Sequence, residues 1–401
     1  MQGRKDELCD VREFVNKFTH CGWVSDLRAL LELNIVFGKR LKKLRPDVIS
    51  KLVWLKVLDV SHCVALTALP ESIGQLAALE VLNMARCFSV TALPDSLGKL
   101  TALRTLNLAE CYSLTRLPES LGQLAALTTL VLHECIKLDV LPDSVGRLTA
   151  LENLQSSHCI VLPALPPSLS QLAGLNTLYL GWCQHLTSLP ELAGRLHTLY
   201  MDSCIALTAL PESLGQLAML TALDLSSCWL LRALPASLGD LAALAVLDLS
   251  HCRALTALPE SLGQLVMLAT LNLYNCLALR ALPASLGNLA ALTVLDLSNC
   301  TALTALPDSL GSLSMLQIFS VDDCEQLTAL PLSFVYLPDD CIFSFRAGPC
   351  NNPGGEDIDM EHAKKWMLLH HRPLKIFMLI LVARKFGPHL PDELWDVIMH
   401  P

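Results

Sequence analysis

Cysteine returns at a fixed interval through most of this chain: Cys63, Cys87, Cys111, Cys135, Cys159, Cys183, Cys204, Cys228, Cys252, Cys276, Cys300 and Cys324. Each step is 24 residues except Cys183 to Cys204, which is 21. A unit of this size is too small to bury a core alone. Its copies must stack on one another, each covering the apolar face of the last. The array grows in one dimension, so the 401-residue length does not imply two or three globules.

The residues around each cysteine say how a unit is built. Leu79, Leu82, Met84 and Cys87 form one copy; Leu103, Leu106, Leu108 and Cys111 form the next. Two apolar residues separated by one polar residue point to the same side of a short strand, and the residue between them points to the other. After the cysteine, Leu114, Leu117 and Pro118 show how a copy ends. Proline suits the start of a return arm, because the first N–H groups of a helical turn have no partner anyway. The arm P-E-S-L-G-Q-L is too short for a stable free helix, so one or two turns of α or 3-10 structure are expected.

The spacing L-x-x-L-x-L-x-x-C resembles the leucine-rich repeats, over about residues 30–331. The resemblance implies an α/β solenoid: a curved horseshoe with a parallel β-sheet on its concave face and short helical or 3-10 turns on its convex face. Residues 30–347 then form the array. Residues 1–29 read as a helical N-terminal cap, 348–357 (GPCNNPGGED) as a turn-rich linker, and 358–401 as a short helical tail. Leu30, Leu33, Ile35, Leu41 and Leu44 fit a degenerate first repeat with one inserted residue, and Phe343 and Phe345 a last imperfect strand. Two copies depart from the pattern. The segment 191–204 lacks three residues of its convex arm, which should tighten the local curvature. Ser156 stands where a strand leucine belongs, a local weak point.

Charge is distributed unevenly. Residues 1–56 carry 12 Lys/Arg against 7 Asp/Glu, residues 57–345 carry 10 against 24, and the whole chain is at −9. An acidic array speaks against non-specific nucleic-acid binding, which needs many cations to neutralise phosphates. The basic cluster Lys39, Arg40, Lys42, Lys43 and Arg45 reads as a solvated cap. The N-terminus has no apolar stretch of signal-peptide type, and the longest apolar run, IFMLILVA at 376–383, is far short of the ~20 residues of a membrane span. Sixteen cysteines kept as thiols fit a cytoplasmic protein.

The recurring cysteines lack the C-x-x-C pairing of zinc sites, and twelve equivalent thiols do not make one activated nucleophile. Disulfides across all copies are at odds with a reducing compartment. The remaining reading is architectural: each thiol fills a small core space at the corner after the strand and donates a weak S–H bond to a backbone carbonyl. His62, His158 and His251 are equivalent positions several repeats apart and do not form a metal site.

Function is expected on the outward strand positions. Tyr179, Trp182 and Tyr200 lie on adjacent strands near the shortened repeat, and exposed Tyr and Trp are the residues of binding hot spots. Asp202, Asp224, Asp248 and Asp296 are expected to form an acidic stripe beside them, with Tyr274 on the same face. Such carboxylates favour a protein partner with a basic patch. No G-x-x-x-x-G-K-[ST], H-E-x-x-H, G-x-S-x-G or kinase motif set is present, so no catalytic residue, cofactor or metal is assigned.

The full repeat wording, L-x-x-L-x-L-x-x-C-x-x-L-T-x-L-P-x-S-L-G-x-L, resembles the intracellular repeats of plant disease-resistance receptors and of Ras-scaffold proteins. That resemblance implies a non-catalytic interaction or scaffold protein in intracellular signalling, without the receptors' nucleotide-binding module. A second resemblance suggests an alternative. LPDELWDVIM at 390–399 is similar to the opening helix of an F-box, which implies a substrate-receptor subunit of a ubiquitin ligase.

Overall fold

A computed structural model describes residues 30–344, apart from 193, 328, 329 and 339. The proposed N-terminal helix, Phe345, the linker, the helical tail and the LPDELWDVIM motif lie outside the described residues.

Among the described residues, fourteen three-residue strands form one parallel sheet in unbroken chain order. They are β1 (Glu32–Asn34), β2 (Val57–Asp59), β3 (Val81–Asn83), β4 (Thr105–Asn107), β5 (Thr129–Val131), β6 (Asn153–Gln155), β7 (Thr177–Tyr179), β8 (Thr198–Tyr200), β9 (Ala222–Asp224), β10 (Val246–Asp248), β11 (Thr270–Asn272), β12 (Val294–Asp296), β13 (Ile318–Ser320) and β14 (Ile342–Ser344). This is the open, curved solenoid that the repeat spacing implies. Pairing is in register throughout, so the central leucine of each strand sits beside that of the next: Leu58 by Leu82, Leu82 by Leu106. These leucines are fully buried and their two strand neighbours are not, which is the alternation of an L-x-L strand. The expected first strand forms around Leu33 and the last around Phe343.

The convex return arms are 3-10 turns of five residues, such as Glu119–Gln123, each preceded by a proline. Pro118 is extended (φ −72°, ψ 148°), and its carbonyl accepts the Leu121 N–H at 3.0 Å. The tighter 3-10 form suits an arm too short for a run of i→i+4 bonds. In the degenerate first repeat the arm is instead a single α-turn, Pro46–Ile49.

The glycine of S-L-G lets neighbouring arms touch. A Cβ on Gly122 would overlap the carbonyl oxygen of Ser144 in the next arm and come within 2.8 Å of the Ser144 Cβ. The exceptions carry the argument. Ser170 replaces the glycine in the arm Pro167–Gln171, and the shortened repeat that follows forms no 3-10 turn between β7 and β8. Val335 replaces it in the last described arm, Leu332–Tyr336. Ser170 thus stands directly before the one described repeat between β2 and β14 that forms no 3-10 turn. The shortened arm turns instead at Gly194 (φ 111°), while the β7–β8 pairing continues undisturbed.

The corner after each strand has two recurrent features. One residue per repeat is left-handed, with φ between 55° and 63° at positions including Arg86, His158, Trp182 and Asn275. This conformation is costly outside glycine, and it is held by a hydrogen bond to the next strand, such as Trp182 N–H to Asp202 O at 2.7 Å. The cysteine follows. All twelve are at most 1% exposed. Each thiol lies 3.0–3.4 Å from a backbone carbonyl of the preceding repeat, as Cys87 does from Val60 O. No disulfide forms among the described cysteines. Burial pushes Cys135, Cys183, Cys252 and Cys300 up to about 12 and Cys324 to about 11. The array thiols thus stay neutral and unreactive in the folded chain. Thiol titration with an aromatic disulfide reagent at pH 8 should leave the thirteen described cysteines unmodified until denaturant is added; rapid labelling of several in the native protein would contradict their role as corner residues.

Ser156 is also fully buried, with its hydroxyl 3.4 Å from Tyr179 O, so this position has a polar contact to the next strand in place of a leucine side chain.

Candidate functional site

Strict register turns the outward side chains into rows across the sheet. One row holds the last strand residue: Asp59, Asn83, Asn107, Val131, Gln155, Tyr179, Tyr200, Asp224, Asp248, Asn272, Asp296 and Ser320. Two residues further along lies a second row, in which Gly181 is beside Asp202 and Asp202 beside Ser226. The left-handed corner residues make a third row, in which His158, Trp182 and Ser203 are neighbours.

Three of these placements refine the sequence expectation. Tyr179 and Tyr200 do meet, stacked with ring centroids 5.1 Å apart and planes 8° from parallel. Trp182 belongs to the corner row and stacks on His158 instead, at 5.2 Å and 8°. Asp202 is not in line with Asp224, Asp248 and Asp296 but one row over, and Asn272 interrupts those three. Tyr274 shares the row of Asp202 three strands away, edge-on to His251 at 5.1 Å. It takes no part in the central aromatic group.

The acidic row also has a structural duty that the spacing alone did not reveal. Oδ1 of Asp224, Asp248 and Asp296 accepts the N–H two residues on, from Ser226, Ser250 and Ser298, at 2.8–2.9 Å. Asn83, Asn107 and Asn272 accept in the same way. These Asx turns satisfy a backbone donor where the strand ends and the chain bends. Asn in place of Asp keeps the turn, so the extra charge on β9, β10 and β12 is not required by the fold.

That charge is left unpaired. Every ion pair among the described residues falls between Arg45 and Glu134, including Lys56–Glu80 and Arg86–Glu110 at 2.8 Å. Across β8 to β12 the outward strand positions present Asp202, Asp224, Asp248 and Asp296 with no lysine or arginine among them. Burial and, next, the charge of Asp224 raise the Asp202 carboxyl above its ordinary range. The neighbouring His158 and the Trp182 indole hold it down in part.

Gly181 was not singled out from the sequence. A Cβ there would collide with Asp202 Oδ1, so the bare glycine is what lets this carboxylate lie across β7. The signal was present in the row itself, where a residue without a side chain stands between Ser157 and Asp202.

Among the described residues no group of His, Cys, Asp and Glu is arranged to hold a metal ion, and no helix is long and apolar enough to cross a membrane.

No curated protein sequence matches the chain. Two family profiles do: one described as "Leucine-rich repeat region" over residues 35–201, and one described as "Disease resistance protein RPS4B-like, leucine-rich repeats" over residues 240–346. Similar solved structures include a leucine-rich repeat protein of Leptospira interrogans, 25% identical with a TM-score of 0.40, covering 76% of this chain and 93% of that one. The leucine-rich repeat domain of the type III effector XopL is 25% identical with a TM-score of 0.40, covering 64% and 73%. The functional domain of InlJ from Listeria monocytogenes, described as including a cysteine ladder, is 20% identical with a TM-score of 0.39, covering 75% of each chain. With both profiles falling on the stacked, in-register strands and the L-x-L core described above, the chain belongs to the leucine-rich repeat family.

Proposed function

We propose that this protein is a non-catalytic interaction module that holds a protein partner on the concave sheet, over β7 to β12. The observation that supports it most is the coincidence of a stacked tyrosine pair, Tyr179 and Tyr200, with a run of unpaired carboxylates on the same face. Rigid aromatic rings supply contact area at little entropic cost, and the carboxylates select a partner with a basic surface and speed its encounter. The buried free thiols suit a reducing compartment, so a cytoplasmic scaffold in signalling is the setting we favour.

The test is quantitative capture from native lysate with wild-type protein and the variant Tyr179→Ala/Trp182→Ala/Tyr200→Ala, once circular dichroism shows both folded. A partner retained by the wild type should be lost by at least ten-fold on the variant. It should also elute with increasing salt, since its attraction is electrostatic. Equal capture by both baits would remove the concave centre from consideration.

A further inference from the structure

We propose that the flank following β9, β10 and β11 is a second docking surface, which takes an acidic segment of a partner protein on Trp229, Arg232, Arg253 and Arg280. It lies outside the concave sheet and does not depend on the reading given above.

Charge in the second half of the array is sorted by position. Between residues 196 and 344 the only lysines or arginines are Arg232, Arg253 and Arg280. All three fall between a corner cysteine and the proline that opens the return arm, where the chain descends from the sheet to the convex side. Seven successive descents, 160–166, 184–190, 205–211, 229–235, 253–259, 277–283 and 301–307, hold no Asp or Glu. The outward strand positions beside them hold carboxylates and no cation. Stacking therefore sets a positive flank against a negative sheet.

Backbone bonds fix the rows of that flank. Thr256 N–H donates to Arg232 O at 3.3 Å and Arg280 N–H to Thr256 O at 3.4 Å. The two arginines are thus two repeats apart, about 10 Å along the array. Ala254 N–H donates to Trp229 O at 3.2 Å, which sets Arg253 one repeat from Trp229. The Arg253 guanidinium carbon lies 5.0 Å from the centre of the Trp229 ring, a cation–π pair. Trp229 and its neighbour Leu230 are 42% and 50% exposed.

None of the three arginines is neutralised within the protein. They enter no ion pair among the described residues. Glu212 and Glu260, which open two of the adjoining arms, accept backbone N–H groups of the next arm instead, from Ala236 and Ser237 and from Ser285. Tryptophan and arginine are the residue types most enriched where truncation costs most binding energy. The occupant must bring carboxylates, which guanidinium groups bind through paired N–H donors, and an apolar side chain to cover Trp229 and Leu230. A phosphate backbone supplies the charge without the apolar cover, and a nucleic acid needs many more cations than three. An acidic protein segment with an apolar residue among its carboxylates meets both demands. The array would then join a basic partner on its sheet to an acidic one on its flank.

The probe is the labelled, capped heptapeptide GEDLDEG, titrated by fluorescence anisotropy against the full chain at low salt, with the amide counterpart GQNLNQG as control. The acidic peptide should bind saturably and about ten-fold more tightly than the amide one. Arg232→Gln/Arg253→Gln/Arg280→Gln should weaken it about ten-fold, and Trp229→Ala several-fold. These side chains are on the surface, so circular dichroism should show both variants folded. Tyr179→Ala/Tyr200→Ala, on the concave sheet, should leave the affinity nearly unchanged.

Equal binding of the two peptides would overturn the assignment, as would an unchanged affinity in the arginine variant or a lost one in the tyrosine variant. Tighter binding of an oligothymidylate or of phosphatidylserine vesicles than of the peptide would overturn it in favour of a phosphate ligand. Self-association abolished by the arginine variant would make a second copy the occupant. Peptide binding that emerges only after Glu356→Gln/Asp357→Asn/Asp359→Asn/Glu361→Gln would give the flank to this chain's own acidic run, which lies outside the described residues. None of these outcomes bears on capture through Tyr179 and Tyr200, so the two surfaces stand or fall separately.

Discussion

Raising the pH from 8 to 10 should destabilise this array strongly, well before ordinary alkaline denaturation. A solvated thiol ionises near pH 8.5. In the folded array, burial holds Cys135, Cys183, Cys252 and Cys300 near 12. The folded values are raised, so the stabilisation from keeping each thiol neutral is complete below the unfolded value. It is lost as pH climbs toward the folded one, because the unfolded chain alone releases the proton. At pH 10 the loss is about 1.5–2 kcal/mol per thiol. Each 24-residue repeat carries one such thiol, and a stretch of that length contributes roughly 1–4 kcal/mol to stability. The loss and the stability both scale with repeat number, so a longer array gains no protection. Urea midpoints measured from pH 7.5 to 10.5 should fall steeply above about pH 9, and the thiolate absorbance of the thirteen described cysteines should appear only with unfolding. A midpoint that hardly moves between pH 8 and 10 would mean that the thiols already ionise in the folded array.

Gly122→Ala should be among the most damaging single-methyl changes available in the chain. The added carbon overlaps the Ser144 carbonyl in the next arm, and backbone on both sides has little room to retreat. Overpacking of this kind costs about 1–3 kcal/mol when side chains can yield, and more when backbone must move. Because repeats are coupled to their neighbours, local exchange of amides should rise in the repeats of β4 to β6 and hardly at all near β12. Ser170→Gly is the matched control. The shortened repeat after it forms no 3-10 arm, so removing that side chain relieves no clash. Its effect should be within a few tenths of a kcal/mol, or mildly destabilising through the freedom glycine adds to the unfolded chain. Equal effects from the two substitutions would refute the close-approach explanation of the glycine row.

The leucine and cysteine rows were legible in the sequence because a fixed period and the L-x-L alternation determine both register and facing. Their positions follow from spacing; that the arms are short turns follows from their length, which left α or 3-10 open, and the concave placement of the sheet came from the resemblance to leucine-rich repeats. What the spacing concealed depends on contacts between copies. The aspartates on the last strand position look like a binding stripe, yet their oxygens close Asx turns that asparagine closes equally well at Asn83 and Asn272. Trp182 looks like a companion of Tyr179, three residues earlier, but the left-handed corner turns it onto His158 in the preceding repeat. Gly181 matters for a carboxylate on the next strand, a relation visible only once the strands are side by side.

The shortened arm between β7 and β8 gives the solenoid an uneven elasticity. Elsewhere adjoining repeats are tied at both faces, by strand pairing on one and by seated arms on the other. At this one described step the second tie is a shortened turn at Gly194 without a 3-10 arm, while the first is unchanged. A spring assembled this way bends and parts first at its softest coil. Under load, or on gentle heating, the blocks before and after the step should separate as two units, with a tension or temperature gap between them. Tyr179 and Tyr200 straddle that coil, one ring on each block, so a partner gripping both would act as a splint.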